Sequence, residues 1–236
     1  MSINKQIIMK TRPVGMPKLE NFEIIENEIP EIRNGEVLIK ILWLSLDPYM
    51  RGRMSTAKSY AASLHEGDVI VGGAVGRVIK SETKEYKEGD IVEGFTLGWQ
   101  EYAIATSATI RKIDPNLAPI QTAVGVLGMP GMTAFFGLLH VGKPIPGDTV
   151  VVSAASGAVG QLVGQIAKIA GCYVVGIAGS KEKCNFLLNT LNFDAAIDYK
   201  NENVDDMLDK YCPKGVNVYF DNVGGNITDS AINKLA

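Results

Sequence analysis

The fold is decided by one stretch, Thr149-Val-Val-Val-Ser-Ala-Ala-Ser-Gly-Ala-Val-Gly160, and by the helical run that follows it to Gly171. A β-branched strand stops at small residues and passes directly into a segment whose apolar residues recur at helical spacing. Glycine in such a turn lets the backbone approach a pyrophosphate, and the free N–H groups of the first helical turn favour its negative charge. The stretch therefore predicts the phosphate-binding corner of a dinucleotide fold.

The glycine pattern of this corner departs from the usual G-x-G-x-x-G fingerprint. Its register reads Ala155-x-Gly157-x-x-Gly160, so alanine stands at the first glycine. A glycine pattern alone is weak evidence, and a tight turn between strand and helix without any ligand is the alternative. The placement between a strand and a helix favours the nucleotide-binding interpretation.

Composition limits the classes of protein to which the chain can belong. With 236 residues, 46% hydrophobic content and a net charge of −3, it has material for one large or two modest domains. A basic stripe is lacking, which argues against nucleic acid or an anionic membrane as partner. No apolar stretch reaches the roughly 20 residues that cross a bilayer, and the first residues do not resemble a signal peptide. We therefore expect a cytoplasmic protein.

Cysteine and histidine usage gives no sign of a metal centre or a disulfide framework. The three cysteines are scattered without a C-x-x-C pair, and the two histidines stand apart from them. We expect reduced, partly buried thiols and no bound metal.

The first half of the chain is β-rich and suits a partly open barrel or sandwich. Strands are predicted at residues 6–10, 22–26, 36–43, 74–80 and 90–95. Around residues 115–144 the sequence changes from a strand-like to a helix-like composition. Residues 120–127 and 132–139 are helical in composition, interrupted by Gly128-Met-Pro-Gly131.

From Thr149 onward strands and helices alternate, which predicts a parallel sheet with right-handed crossovers. The predicted strands are 149–153, 172–177, 195–198 and 216–221, and the predicted helices are 158–170, 181–191 and 203–211. A complete doubly wound domain has about six strands, whereas four are predicted here. The last residues, 226–236, indicate a helix without partner strands. We therefore expect that the sequence is a truncated chain or one segment of a longer protein.

The end of the second predicted strand indicates which dinucleotide binds. A carboxylate there normally binds the ribose hydroxyl of NAD, but this chain reads Ala178-Gly-Ser-Lys-Glu-Lys183. Gly179 and Ser180 are small and neutral, and Lys183 could neutralise a 2′-phosphate, which favours NADP. Alternatively, Lys181 and Lys183 merely solvate the start of a helix, although cations oppose the helix dipole there.

Four linked motifs carry a family resemblance. They are Leu44-Ser-Leu-Asp-Pro-Tyr-Met-Arg51, Gly128-Met-Pro-Gly-Met-Thr-Ala134, Ala155-Ser-Gly-Ala-Val-Gly160 and Phe220-Asp-Asn-Val-Gly-Gly225. In this order the chain resembles the zinc-independent medium-chain dehydrogenase/reductase superfamily, in its prostaglandin reductase and alkenal double-bond reductase branch. The stretch Asp47–Tyr60 is most similar to bacterial members of the curcumin reductase type.

The resemblance implies a GroES-like β domain at residues 1–120 and an incomplete NADP-binding Rossmann domain at residues 121–236, with the cofactor in the cleft between them. Members of this branch reduce the carbon–carbon double bond of α,β-unsaturated ketones or aldehydes with NADPH. Hydride goes to the β-carbon and the resulting enolate is protonated at the α-carbon. Charge develops on the carbonyl oxygen, so the site needs a hydrogen-bond donor rather than a strong base.

The residue pattern and the resemblance together imply a cofactor site. Its expected residues are Pro48, Met129, Thr133, Gly157, Ala158, Val159, Gly160, Gly179, Ser180, Lys183, Tyr199 and Asn222. Residues 157–160 would face the pyrophosphate. Lys183 and Tyr199 would lie at the 2′-phosphate end, and Asn222 would touch the ribose or nicotinamide side. Tyr199 and Asn222 could instead be ordinary turn residues, although their place after the third and fourth strands favours the cofactor.

The remaining implied positions surround the reacting groups. Met129 and Thr133 would lie near the nicotinamide, Pro48 would shape the turn beside the cofactor, and Tyr49 would border the substrate. Tyr49 and Tyr60 are the catalytic candidates, because the family's main tyrosine belongs to a later segment that this sequence lacks. A phenol has an ordinary pKa near 10 and so acts as a hydrogen-bond donor at neutral pH. Alternatively, Tyr49 packs at a domain interface and Tyr60 belongs to a loop or rim.

One departure concerns metal. Where zinc-dependent relatives carry Gly-His-Glu, this chain reads Val71-Gly-Gly73, and no cysteine replaces the ligand. Two other functions stay open: an NADPH-dependent quinone reductase of the same superfamily, and an NADPH-binding protein without turnover. We expect a small-molecule enone, alkenal or quinone as substrate, and a homodimer for the full-length protein.

Overall fold

The computed structural model describes residues 3–59 and 61–236. It divides into two compact units, Met1–Val124 and Gly125–Ala236. In the described residues, none of the helices has both the length and the apolar character needed to span a membrane.

The first unit is built from antiparallel strands. Strands β1 and β2 pair with each other, and the remaining five form a sheet of order β6-β3-β4-β5-β7. The strands are β1 (Ile3–Met9), β2 (Phe22–Glu28), β3 (Glu36–Leu44), β4 (Ala74–Ser81), β5 (Ile91–Gly94), β6 (Tyr102–Thr106) and β7 (Arg111–Lys112). A short helix, α1 (Tyr49–Arg53), follows β3, and a 3₁₀ turn covers residues Ile120–Val124.

Alternation along the strands of this unit places two apolar sets on opposite faces of the sheet. Val37 and Ile39 of β3 are fully buried in one cluster with Val78 and Val92. Val75, the neighbour of Ala74 in β4, is buried in a separate cluster with the 3₁₀ turn. Because side chains alternate with a period of two, a single strand can supply both clusters.

The second unit alternates helix and strand around a parallel sheet of order β10-β9-β8-β11. Its strands are β8 (Thr149–Val152), β9 (Tyr173–Ala178), β10 (Ala195–Asp198) and β11 (Val218–Phe220). Its helices are α2 (Met129–Phe135), α3 (Gly160–Ile169), α4 (Lys181–Asn189), α5 (Val204–Tyr211) and α6 (Asn226–Ile232), with a π-helical turn at Phe136–Gly142. This order places the carboxyl ends of four neighbouring strands along one edge.

The predicted fold class, a β domain followed by a doubly wound parallel sheet, is confirmed, and most predicted elements lie within two residues of the observed ones. One local prediction is wrong. Gly128-Met-Pro-Gly131 does not interrupt a helix but begins one, with Gly128 as the extended N-cap of α2. Proline is tolerated in the first turn because its missing N–H would have no helical partner there. Strands β6 and β7 and helix α1 were not among the predicted elements.

Candidate cofactor site at the carboxyl edge of the sheet

The turn after β8 is shaped by close backbone approach. The N–H of Ala155 donates to the carbonyl of Ile177 on β9 at 3.0 Å, and the N–H of Gly157 donates to Ala154 O at 2.9 Å. A Cβ on Gly160 would lie 2.4 Å from that same Ala154 oxygen, whereas a Cβ on Gly157 would lie 3.1 Å from it. The turn therefore requires glycine at 160, whereas a Cβ at 157 needs only a small shift of its neighbour.

The same turn offers unpaired hydrogen-bond donors. The backbone N–H groups of Ala158, Val159 and Gly160 have no acceptor in the part of the chain that the structure describes. They stand at the start of α3, where the positive end of the helix dipole adds to their effect. Exposed Gly157 and Ala158 leave the backbone open to a ligand. These residues fit a pyrophosphate, as the sequence predicts.

Ala154 holds a conformation that disfavours a side chain, with a φ of 45°. A left-handed backbone costs an L-residue about 1–2 kcal/mol, whereas glycine adopts it without that strain. We expect Ala154→Gly to raise the free energy of unfolding by about 0.5–1 kcal/mol after the entropy of the more flexible unfolded chain is subtracted. Urea denaturation measures it. Ala158→Gly, in the same turn without a positive φ, should instead lower stability, and an Ala154→Gly protein no more stable than wild type would contradict the interpretation.

The end of β9 carries no acidic side chain. β9 ends at buried Ala178, and Ser180 caps α4 by accepting the Lys183 N–H at 3.2 Å. The Tyr199 N–H donates to Ala178 O at 3.1 Å. Its ring lies against Gly179, where an added Cβ would be 2.9 Å from Tyr199 Cε1 and 3.0 Å from its hydroxyl. Gly179 therefore leaves room for the phenol of Tyr199, and the exposed Lys183 stands in the first turn of α4.

A cavity of about 350 Å³ lies beside Tyr199, between the starts of α5 and α6. Its lining combines apolar Val204 and Ile227 with polar groups, among them the carboxylates of Glu202 and Asp205. The two apolar residues were not singled out from the sequence. They are ordinary helix residues in pattern, and only the fold brings them together.

The end of β11 is tied to the end of β8 by Ser153. The Asn222 backbone N–H donates to Ser153 Oγ at 2.7 Å, and Asn222 Nδ2 donates to Ser153 O at 2.9 Å. Ser153 Oγ in turn donates to Asp221 Oδ1 at 3.1 Å. Asn222 therefore has a structural role, because it joins the ends of β8 and β11. Its Oδ1 accepts no hydrogen bond from the described residues.

Asp221 is the charged centre of this turn. Burial by itself would raise its pKa. Hydrogen bonds from the N–H groups of Val223 and Gly224 and from the hydroxyls of Thr228 and Tyr219 outweigh burial and lower the pKa to about 2. The carboxylate therefore remains ionised across the physiological range.

The lowered pKa predicts an acid-sensitive contribution to stability. Because the folded pKa lies below the unfolded value of about 3.9, the contribution is complete above that value and is lost as the pH falls towards about 2. We expect the difference in unfolding free energy between wild type and Asp221→Asn to shrink over this window. Urea titrations at several pH values measure it, and a difference independent of pH would contradict the prediction.

Met129 and Thr133 lie one turn apart on α2. Thr133 Oγ1 donates to the Met129 carbonyl at 2.8 Å, and Thr133 is exposed. The helix also contacts α3, the helix that follows the phosphate turn. Their proximity to a nicotinamide stays a prediction.

The catalytic candidates belong to the first unit. Pro48 is the exposed N-cap of α1, and half-buried Tyr49 packs against a buried cluster that includes Met50 and Met54. Arg51 ties α1 to the loop between β1 and β2, since its Nη2 donates to Gly15 O at 2.8 Å. This packing favours the alternative that Tyr49 has a structural role. Its catalytic role remains a prediction. Tyr60 lies outside the described residues.

The stretch that would carry a zinc ligand is packed by apolar groups. A Cβ on Gly72 would lie 3.0 Å from Leu44 Cδ1, 3.0 Å from Trp99 Cδ1 and 3.1 Å from Met50 Cε. Across residues 3–59 and 61–236, histidine, cysteine and acidic side chains form no group of three that could hold a metal ion. The residues here do not fit a zinc centre.

The chain matches two family models, one described as the N-terminal domain of oxidoreductase over residues 5–113 and one as zinc-binding dehydrogenase over residues 158–236. It is 47% identical over 236 residues to a 2-alkenal reductase (NADP⁺-dependent) of Nicotiana tabacum, covering 97% of this chain and 68% of the relative. It is 44% identical over 229 residues to the NADPH-dependent curcumin reductase of Escherichia coli K12, covering 97% of this chain and 66% of the relative.

The fold is also similar to that of a solved structure. The crystal structure of CurA in complex with NADPH from Vibrio vulnificus superposes with a TM-score of 0.93 at 46% identity, covering 98% of this chain and 68% of that one. The chain thus spans about two thirds of the length of the relatives it matches. The phosphate turn, the neutral end of β9 and these matches agree: the chain belongs to the zinc-independent medium-chain dehydrogenase/reductase superfamily, in the branch of the prostaglandin and alkenal reductases.

Proposed function

We propose that the complete protein reduces the carbon–carbon double bond of α,β-unsaturated ketones and aldehydes with NADPH and without a metal. The observation that carries the proposal is the end of β9, where Ala178 and Gly179 place no carboxylate at the strand end, the ring of Tyr199 lies against Gly179, and Lys183 stands in the first turn of α4. NAD-binding folds place an acid there for the ribose hydroxyl, whereas a 2′-phosphate needs a cation and room. The names of the alkenal and curcumin reductases supply the reaction class.

The chain's own residues bind and orient the cofactor. The N–H groups of residues 158–160 receive the pyrophosphate, and Lys183 with the Tyr199 hydroxyl receives the 2′-phosphate. The cavity beside Tyr199 holds the adenine. When bound, NADPH supplies a hydride to the β-carbon, and a proton added at the α-carbon completes the reduction.

On the substrate side, Tyr49 borders the enone and Met129 and Thr133 flank the nicotinamide. A neutral hydroxyl near the carbonyl oxygen stabilises the negative charge that develops there, without requiring a base. The side chains around Gly72, those of Leu44, Trp99 and Met50, are apolar and supply no zinc ligand, which supports chemistry without zinc.

Product identity tests this function directly. We would mix the complete gene product with a small enone and either NADPH or NADH, follow loss of the reduced cofactor, and identify the product by mass spectrometry and NMR. A saturated ketone formed with NADPH, and far more slowly with NADH, is the expected result. An allylic alcohol would mean carbonyl reduction and overturn the proposal. Turnover of quinones but not enones would favour a quinone reductase, and tight NADPH binding without turnover a non-catalytic protein.

A further inference from the structure

A second depression, of about 370 Å³, lies at the amino edge of the parallel sheet, opposite to the edge where the cofactor is expected. It is lined by Thr149 and Tyr173, which begin β8 and β9, and by Lys210, Tyr211 and Lys214, at the end of α5 and in the loop after it. We call it the amino-edge pocket. The sequence analysis singled out none of these five residues, and the proposed reaction gives them no role.

The charge of the amino-edge pocket is positive. Among the described residues no carboxylate lines it, whereas Glu202 and Asp205 line the cavity beside Tyr199. Lys210 and Lys214 are exposed, and neither forms an ion pair within residues 3–59 and 61–236. Two positive charges without an ion-pair partner in one concave site attract an anion.

Two phenol rings give the pocket its flat, apolar surface. Tyr211 is half-buried and packs against the core cluster beneath α5, and Lys210 Nζ lies 5.0 Å from the centroid of its ring. This cation–π contact keeps the ammonium group at the wall of the pocket. Tyr173 leaves 38% of its surface exposed at the start of β9. The lining therefore combines positive charge with aromatic surface.

Tyr173 adds a hydrogen-bond donor to the pocket. Burial, and to a smaller extent the Asp194 carboxylate, raise the pKa of Tyr173 above its ordinary value near 10. The phenol therefore keeps its proton at neutral pH and can donate to an anion. Asp194 does not line the pocket, and its own charge is paired, because it accepts from Lys168 Nζ at 2.7 Å.

The favourable effect of a cation at a helix end does not explain the whole set. A lysine in the last turn stabilises the helix dipole, which accounts for Lys210 alone. Lys214 lies beyond the end of α5, and Tyr173 belongs to a strand. The carbonyl groups at the end of α5 also limit the ligand, because they oppose a doubly charged phosphate more than a singly charged carboxylate.

We propose that the amino-edge pocket binds a small aromatic carboxylate. The carboxylate meets the two lysines, and the ring lies against the two phenols. The site is separate from the proposed NADPH site, since none of its lining residues belongs to the carboxyl edge of the sheet.

Titration of the complete gene product with 2-naphthoate tests the proposal, with isothermal calorimetry as the measurement. Lys210→Gln and Lys214→Gln should each raise the Kd about threefold, and together about tenfold, as expected for exposed charge pairs. The neutral analogue 2-naphthamide, which keeps the rings but lacks the charge, should bind wild type about tenfold more weakly than 2-naphthoate.

Lys84→Gln is the matched control, because it removes the same unit charge from an exposed lysine of the first unit. It should leave the Kd for 2-naphthoate unchanged. Absence of 2-naphthoate binding to wild type, an unchanged Kd in the double lysine variant, or equal weakening by Lys84→Gln would overturn the proposal. The outcome does not depend on the proposed function, because the titration requires neither NADPH nor turnover.

Discussion

Gly160→Ala is expected to destabilise the second unit by about 3 kcal/mol and to weaken NADPH binding at least tenfold. The added Cβ would lie 2.4 Å from Ala154 O and 2.8 Å from Ala155 Cα. Both atoms are backbone, so neither can rotate away, and the turn must open to accommodate the methyl group. Opening it displaces the N–H groups of Ala158 and Val159. Urea denaturation measures the stability, and fluorescence titration with NADPH measures the affinity.

Gly157→Ala is the matched control in the same turn. Its Cβ would meet the Ala154 oxygen at 3.1 Å and no other atom within 4 Å, so a shift of a few tenths of an ångström accommodates it. We expect a loss of about 1 kcal/mol or less from this variant. Equal stability losses in the two variants would show that the contact with Ala154 does not set the geometry of the turn.

The alternation of strand and helix after Thr149 could be predicted because each signal was local. A β-branched run such as Thr149–Val152 and the helical period after Gly160 are readable in single windows of sequence. The left-handed conformation of Ala154 was not predictable, because alanine carries no signal for a positive φ. The carbonyl of this residue lies close to Gly160, where an added Cβ would be 2.4 Å from it.

The elements missed in the first unit are those that tertiary contacts create. β7 is only two residues long and exists through its pairing with β5, and α1 is five residues long. Such short segments show no periodicity that could distinguish them from a turn. β6 has the alternation of a strand, but in a short run with two alanines among its five residues its signal is weak.

The site residues that could be predicted are those whose position follows from the order of strands along the chain. Lys183 and Asn222 follow strands, a position that sequence order reveals. The hydrogen bond between Asp221 and Ser153 joins residues 68 positions apart in the chain, and so no local pattern could reveal it.

Lys183→Ala is expected to raise the Kd for NADPH about tenfold to hundredfold and to leave the Kd for NADH unchanged. A hydrogen bond to a charged group contributes about 1.5–3 kcal/mol, which corresponds to that range of affinity. NADH lacks the 2′-phosphate, so it loses nothing with the lysine. Because the side chain is exposed, the loss for NADPH should diminish as salt is added. Parallel titrations with the two cofactors at low and high salt measure both effects.

Lys181→Ala separates a specific contact from a general effect of charge. Lys181 stands in the same first turn of α4, is exposed as Lys183 is, and removes the same unit charge when replaced. Residues two apart on a helix point in different directions, so only Lys183 should reach the 2′-phosphate beside Tyr199. If both variants weakened NADPH binding equally, the lysines would act only through the net charge of the helix start. The preference for NADPH over NADH would then depend on the neutral end of β9, where Gly179 stands in place of a carboxylate and Tyr199 lies against it.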